Sequence, residues 1–330
     1  MYGAVISLRN FLYDLNILPA KKVDAFVISV GNLSTGGTGK TPMVLSLIES
    51  LSSREKKTAV LSRGYGRAGS GPKFYGPSTP IGDWRESGDE PLLIKNRISA
   101  VTLVIDSVRY RGAATAVAEG RCEIIILDDC FQHRGIHRDL DIVIVDTDEK
   151  LKNRLLLPIG RLREPLNSLR RADVVVVMGE ETEAKSFRKY LRKDAVLCGG
   201  LKEADKIINI RTGEEIDLSR LKRTGITAFC GIGNPEGFRD LLNSFQPKNL
   251  SFLPFPDHHI YTASDFDKIR SQHAASNSQL LLTTEKDSIK LPSNFLDETD
   301  VYFLRIKFSL TWGKESFDTL LNNVLLSSEL

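Results

Sequence analysis

Apolar residues along this chain gather into short uninterrupted runs with amphipathic stretches between them. Val27, Ile28 and Val30 form the first run, and others occupy 58–61, 101–105, 123–127, 141–146 and 173–178. Short runs without polar alternation suit strands buried on both faces, as in a parallel sheet. Met43, Val44, Leu45, Leu47 and Ile48 recur at helical spacing, and further helices are predicted after Gly88-Asp89-Glu90-Pro91 and over 109–119. Strands alternating with helices predict an α/β fold, a mainly parallel sheet flanked by helices. Residues 68–88, rich in Gly, Pro and Ser, read as an irregular surface loop.

The pattern changes over 180–224, where charges crowd and strands look short. A second, smaller α/β unit starts at Gly225, with strands over 226–229 and 280–287 and a helix from Glu236. Gly231-Ile232-Gly233 lacks the third glycine of a dinucleotide fingerprint and reads as a tight turn. The organisation expected is an apolar N-terminal helix in 1–22, a core in 23–200 and the smaller unit in 201–330. The last predicted helix, 316–326, could dock on either unit.

Composition adds exclusions. In 330 residues the hydrophobic share is 41%, the charged share 26% and the net charge +3, ordinary for a soluble fold and too mild to argue for nucleic acid. Cys122, Cys130, Cys198 and Cys230 lie far apart and include no Cys-x-x-Cys pair, so neither a disulfide framework nor a zinc site is indicated. The first nineteen residues are apolar but interrupted by Arg9, Asn10, Asp14 and Asn16. That is too short and too charged to span a bilayer, which takes about 20 apolar residues. Two readings stand: a helix docked on the core, or one lying in a membrane interface beside Lys21 and Lys22.

Chemistry concentrates where the first run ends. Ser34-Thr35-Gly36-Gly37-Thr38-Gly39-Lys40-Thr41 joins a strand to a helix, the order of a phosphate-binding P-loop. Phosphate oxygens reach successive backbone N–H groups only where side chains are small, and the helix start adds partial positive charge. Lys40 is placed to bridge terminal phosphates and the Thr41 hydroxyl to ligate Mg²⁺. Ser34 stands where the general pattern has Gly. The run over 123–127 closes on Asp128-Asp129, as a strand that holds Mg²⁺ beside a P-loop does. Asp89 opens a helix, a position that suits a cap as well as catalysis. The adjacent histidines His258 and His259 read as loop residues rather than a metal site. Thr284-Glu285-Lys286-Asp287 approaches a guanine-selecting motif but carries its lysine one place late, which weakens a rival reading as a regulatory GTPase or ATPase.

The ordered set GNLSTGGTGKTP, SRGYGR, GDEPLL, LDDCFQHR, GRLREP, FCGIGNPEGF, FPDHH and TEKD, running from Gly31 to Asp287, resembles the tetraacyldisaccharide 4′-kinase family, the lipid A 4′-kinases of Gram-negative bacteria. The resemblance implies ATP- and Mg²⁺-dependent phosphorylation of the 4′-hydroxyl of a tetraacyldisaccharide 1-phosphate. It implies a phosphate site at residues 34–41 with Lys40, a metal site at Thr41, Asp128 and Asp129, and Asp89 as base with His258, or its neighbour His259, as its partner. Arg63, Gln132, His133, Arg161 and Arg163 fall in its motifs as substrate candidates. It also implies a place at the cytoplasmic face of the inner membrane, with the N-terminal helix on the lipid surface, and a monomer is expected. Cys130 stands where the family form LDDGFQHR has Gly, an exchange expected to tighten the turn after Asp129.

Overall fold

The computed structural model describes residues 2–52, 56–147 and 155–327. Among them a single thirteen-stranded sheet runs in the order β11-β10-β12-β13-β8-β7-β6-β1-β5-β2-β4-β3, with β9 paired to β8. The central strands are β1 (Phe26–Asn32), β2 (Thr58–Ser62), β4 (Thr102–Ile105), β5 (Ile124–Asp128), β6 (Leu140–Asp146) and β7 (Val174–Met178). They are mutually parallel and almost wholly buried, because helices cover both faces. Their carboxyl ends therefore share one edge, where ligands of open α/β sheets bind.

Several expectations from the sequence change. Residues 68–88 contain β3 (Lys73–Tyr75), antiparallel to β4, and a turn of helix Trp84–Ser87 capped by Asp83. The 180–224 stretch is not a passage of short strands. It holds β8 (Val196–Asn209), the longest strand described, parallel to β7 and antiparallel to β13 (Val301–Trp312). The expected boundary at 200–201 falls inside β8. Beyond β13 the remaining strands, β12 (Leu280–Thr284), β10 (Gly225–Cys230) and β11 (Asn249–Pro254), are again parallel, with the short β9 (Glu215–Ile216) beside β8. The segment 280–287 is strand only to Thr284, and Glu285–Ser288 turns into helix.

The helix after the P-loop, Lys40–Ser52, buries Met43, Val44, Leu45, Leu47, Ile48 and Leu51. Phe317, Leu321 and Leu325 of the last helix, Lys314–Ser327, join that same cluster. The last helix therefore docks on the P-loop side. All four cysteines are buried and free.

The N-terminal helix, Tyr2–Asp14, has its polarity inverted. Its buried residue is Asn10, whose Nδ2 donates to Glu164 Oε2 at 2.9 Å. Arg9 and Arg171 also meet the fully buried Glu164, and Arg134 pairs with Asp14 at 2.8 Å. Val5, Leu8 and Phe11 point outward, with Val5 62% exposed. Among the described residues no helix is long and apolar enough to cross a membrane.

Candidate active site

The loop 34–41 leaves the carboxyl end of β1. Ser34 makes an antiparallel bridge to Leu162, and the Thr35 N–H donates to the Arg161 carbonyl at 2.9 Å. Arg161 Nε and Nη2 donate back to the Thr35 carbonyl at 3.1 and 2.6 Å. Ser34 begins the loop as a bridge residue, a role that does not require glycine. Gly36 and Gly39 adopt φ of +116° and +96°, which side chains resist, and a Cβ on Gly36 would strike the Arg161 guanidinium. Asn32 Nδ2 donates to Thr38 Oγ1 at 2.8 Å, fixing the loop from beneath.

Two carboxylates stand beside this loop. Asp128 ends β5 opposite Val30 of β1. Ser62 Oγ donates to its Oδ2 at 3.3 Å, while Oδ1 is buried without a hydrogen-bond partner among the described residues. Burial, then the nearby charges of Glu90 and Asp129, push this carboxyl up to about 7. Asp129 has a left-handed φ of +49°, a conformation Asp tolerates. Its carboxylate lies 3.6 Å from Lys40 Nζ and accepts twice from Arg163 Nη1, at 3.0 and 2.9 Å. Burial works against its charge, but Lys40 and Arg163 outweigh burial and hold it below the ordinary range. Cys130 is simply packed in the core, and the left-handed residue of this turn is Asp129 itself.

The third carboxylate is Asp89, 4% exposed, in the first turn of the helix Asp89–Arg97. Gly88 occupies the cap, so Asp89 is free for other work. Its Oδ2 lies 2.8 Å from His258 Nδ1, 3.4 Å from Lys290 Nζ and 3.8 Å from Lys286 Nζ. His258 Nε2 is 3.3 Å from the Lys286 ammonium, which can only donate. The Nδ1–H therefore donates to Asp89. Burial raises the Asp89 carboxyl, but the His258 hydrogen bond and the two lysines prevail and bring it to about 2. His259 is turned away, its Nε2 3.0 Å from Asp265 Oδ2. Of the two histidines, His258 is thus the one on Asp89.

Residues 35–41 of the loop, Asp128, Asp129 and His258 line a cavity of about 940 Å³ together with Tyr2, Ile6 and Arg9 of the N-terminal helix, while Asp89 is not in that lining and meets it through His258. Arg63 and His133 face it. Partial burial, then Arg109 and Arg63, push the His133 imidazole down to about 4, so it is neutral near neutrality. Gln132 Nε2 donates to the Asn32 carbonyl at 2.8 Å. Arg161 thus holds the loop backbone, Gln132 lines the cavity while holding the end of β1, and Arg163, also in the lining, touches Asp129. Sequence reasoning missed Glu90, Arg109, Lys202, Lys286 and Lys290. Glu90 and Lys286 lay inside quoted motifs, and Lys286 Nζ donates to Glu90 Oε1 at 3.1 Å. Thr284 caps its helix by accepting from Asp287 N, and Asp287 Oδ2 accepts from Gly231 N at 3.0 Å. The segment resembling a guanine motif is therefore tied into the Asp89 cluster.

Residues 1–326 match the family model described as tetraacyldisaccharide-1-P 4′-kinase. The chain belongs to this family. Tetraacyldisaccharide 4′-kinases similar to it include that of Syntrophus aciditrophicus, 37% identical over 306 residues, 88% of this chain and 82% of that protein. The Bdellovibrio bacteriovorus kinase is 32% identical over 329 residues, 98% of this chain and 97% of its own. A solved structure of the Aquifex aeolicus kinase in complex with ATP superposes with a TM-score of 0.77 at 34% identity, covering 98% of this chain and 96% of that one. The kinase family accounts for the ordered motifs, and the switch-protein rival has no comparable support.

Proposed function

We propose that this cavity transfers the γ-phosphoryl group of ATP to the 4′-hydroxyl of a tetraacyldisaccharide 1-phosphate, giving lipid IV-A. The observation that carries the reading is that His258, hydrogen-bonded to Asp89, lines one cavity with the P-loop and its carboxylates. The amides of residues 34–41 and the Lys40 ammonium hold the β- and γ-phosphates, and positioning with charge neutralisation does most of the catalysis. Asp89 accepts the proton of the attacking hydroxyl, and His258 fixes its carboxylate. Thr41, Asp128 and Asp129 would hold Mg²⁺. The buried, unpartnered Oδ1 of Asp128 suits a cation there, because an orphaned carboxylate oxygen is costly unless something charged meets it. Bound at that place, Mg²⁺ supplies charge neutralisation across the phosphates.

Arg63 and His133 face the cavity and meet the anionic sugar lipid, with Arg163 between Asp129 and the substrate side. Arg161 acts on it through the loop it holds, and Gln132 meets it from the end of β1. Residues 1–22 serve as lipid-surface helix, the strands up to β7 as P-loop core, and the strands beyond β8 as carrier of His258. The protein works as a monomer at the cytoplasmic face of the inner membrane and takes no nucleic acid. The outward apolar face of the N-terminal helix, whose polar side is used against the protein, supports the membrane placement.

Transfer of labelled γ-phosphate from ATP to tetraacyldisaccharide 1-phosphate in detergent micelles tests this reading. Transfer by the wild type that is abolished in Asp89→Ala supports it, and ATP turnover indifferent to the glycolipid overturns it.

A further inference from the structure

A turn beside the N-terminal helix carries a second apolar surface. Leu156 and Leu162 form a bridge, the Gly160 N–H donates to the Leu156 carbonyl at 2.9 Å, and Leu162 N donates to the Leu155 carbonyl at 3.1 Å. Ile159 at its tip is 83% exposed, and Leu155 is 47% exposed. A tight turn gains nothing in water from an isoleucine at its apex. The turn packs on the helix, since Leu156 lies where any Cβ on Gly3 would strike, and Tyr2 Oη donates to the Arg163 carbonyl at 3.0 Å. The turn thus sits against the same helix that turns Val5, Leu8 and Phe11 outward.

We propose that this turn is a second membrane anchor, with Ile159 and Leu155 inserted into the apolar edge of a lipid bilayer. The inference rests on the membrane placement given above. Three observations favour lipid over a protein partner. The helix buries its polar side and presents its apolar side, an arrangement rewarded only by an apolar medium. Its one carboxylate, Asp14, is neutralised by Arg134 and Arg170. The exposed Lys21 and Lys22 that follow complement anionic headgroups.

The turn also reaches the chemistry. Ile159 is two residues from Arg161, which holds the Thr35 carbonyl, and four from Arg163, which holds Asp129. Seating the tip in lipid fixes the height of the P-loop above the bilayer, so a substrate that stays in its leaflet meets the phosphates in register.

All four native cysteines are buried, so Ile159→Cys or Leu8→Cys offers one accessible thiol for an environment-sensitive fluorophore in the full chain. With vesicles of phosphatidylethanolamine and phosphatidylglycerol, the probe at 159 is expected to shift to the blue and to be quenched by brominated acyl chains. Ile159→Ser is expected to weaken vesicle binding about tenfold, the effect of withdrawing one large apolar side chain, while transfer to micelle-dispersed substrate is unchanged. A shift at position 8 without one at 159 overturns the second anchor and leaves the membrane placement standing. Silence at both positions overturns both, whatever the micelle assay gives.

Discussion

His258 Nδ1 lies 2.8 Å from Asp89 Oδ2 although 169 residues separate them in the chain. The bond joins a loop of the C-terminal strands to the first turn of a helix on the P-loop side. The pair is thus assembled only when both parts of the sheet are folded. His258 has a left-handed φ of +58° and its N–H donates to the Gly231 carbonyl at 3.0 Å, so the loop holds the ring by backbone as well as by side chain.

Removing the carboxylate tests its role directly. Asp89→Ala and Asp89→Asn should lower phosphoryl transfer by about 10²–10⁴-fold, the usual worth of a general base. ATP affinity, measured by calorimetry, should change little, because Asp89 belongs to the helix of Asp89–Arg97 and not to the loop. A transfer rate within a few-fold of wild type would reduce Asp89 to a structural anchor for Lys290.

Acid should act on stability through the same group. Its folded carboxyl sits at about 2 and its ordinary value is 3.8, so its contribution is complete above about pH 4 and disappears as pH falls through the folded value. The stabilisation is about 2 kcal/mol. Urea unfolding of wild type and Asp89→Asn should show a gap near neutrality that narrows below pH 4. A gap independent of pH would contradict the cation cluster around it.

Gly36→Ala should disable the phosphate loop. The residue has φ +116°, and its Cβ direction is filled by Arg161. Strain of about 1–3 kcal/mol together with displacement of Arg161 should weaken ATP binding at least tenfold. Gly37→Ala meets nothing within 4 Å and serves as the comparison, with a smaller loss of affinity expected.

Glu164→Ala should release the N-terminal helix. Glu164 is fully buried and receives Arg9, Asn10 and Arg171. Leaving those donors unpaired costs about 3–5 kcal/mol. Thermal melting should drop by several degrees, and hydrogen exchange over 2–14 should quicken more than in β1. Uniform quickening throughout the chain would instead indicate a general loss of stability.

The central strands, the glycine-rich loop and the Asp128-Asp129 strand end were legible in the residues, whereas the pairing of Asp89 with a histidine was expected only from the family resemblance. Buried parallel strands are continuous apolar runs, and phosphate chemistry demands small residues at fixed spacing. The joint was not legible. β8 and β13 form a long antiparallel pair whose burial is irregular and includes exposed positions such as Leu201, so neither alternation nor an unbroken run marks it. Lys290 was equally hidden. A lysine read from sequence is a solvated charge by default, and only the fold shows its side chain 2% exposed between Asp89 and Asp287. Arg161 and Arg163 looked equivalent, yet one grips the loop backbone and the other a carboxylate.

With Asp89 as the proposed base, the cations around it also bear on the timing of the reaction. A carboxyl at about 2 is ionised in every molecule near neutrality, so no turnover waits for it to lose a proton. The same acidity makes it a reluctant acceptor from an alcohol. Proton transfer should then trail the breaking of the bond to ADP, because the hydroxyl grows acidic only once its oxygen has begun to bond phosphorus. That order suits a loose transition state, in which the nucleophile contributes little until late. The enzyme is thus always armed, and its proton moves last.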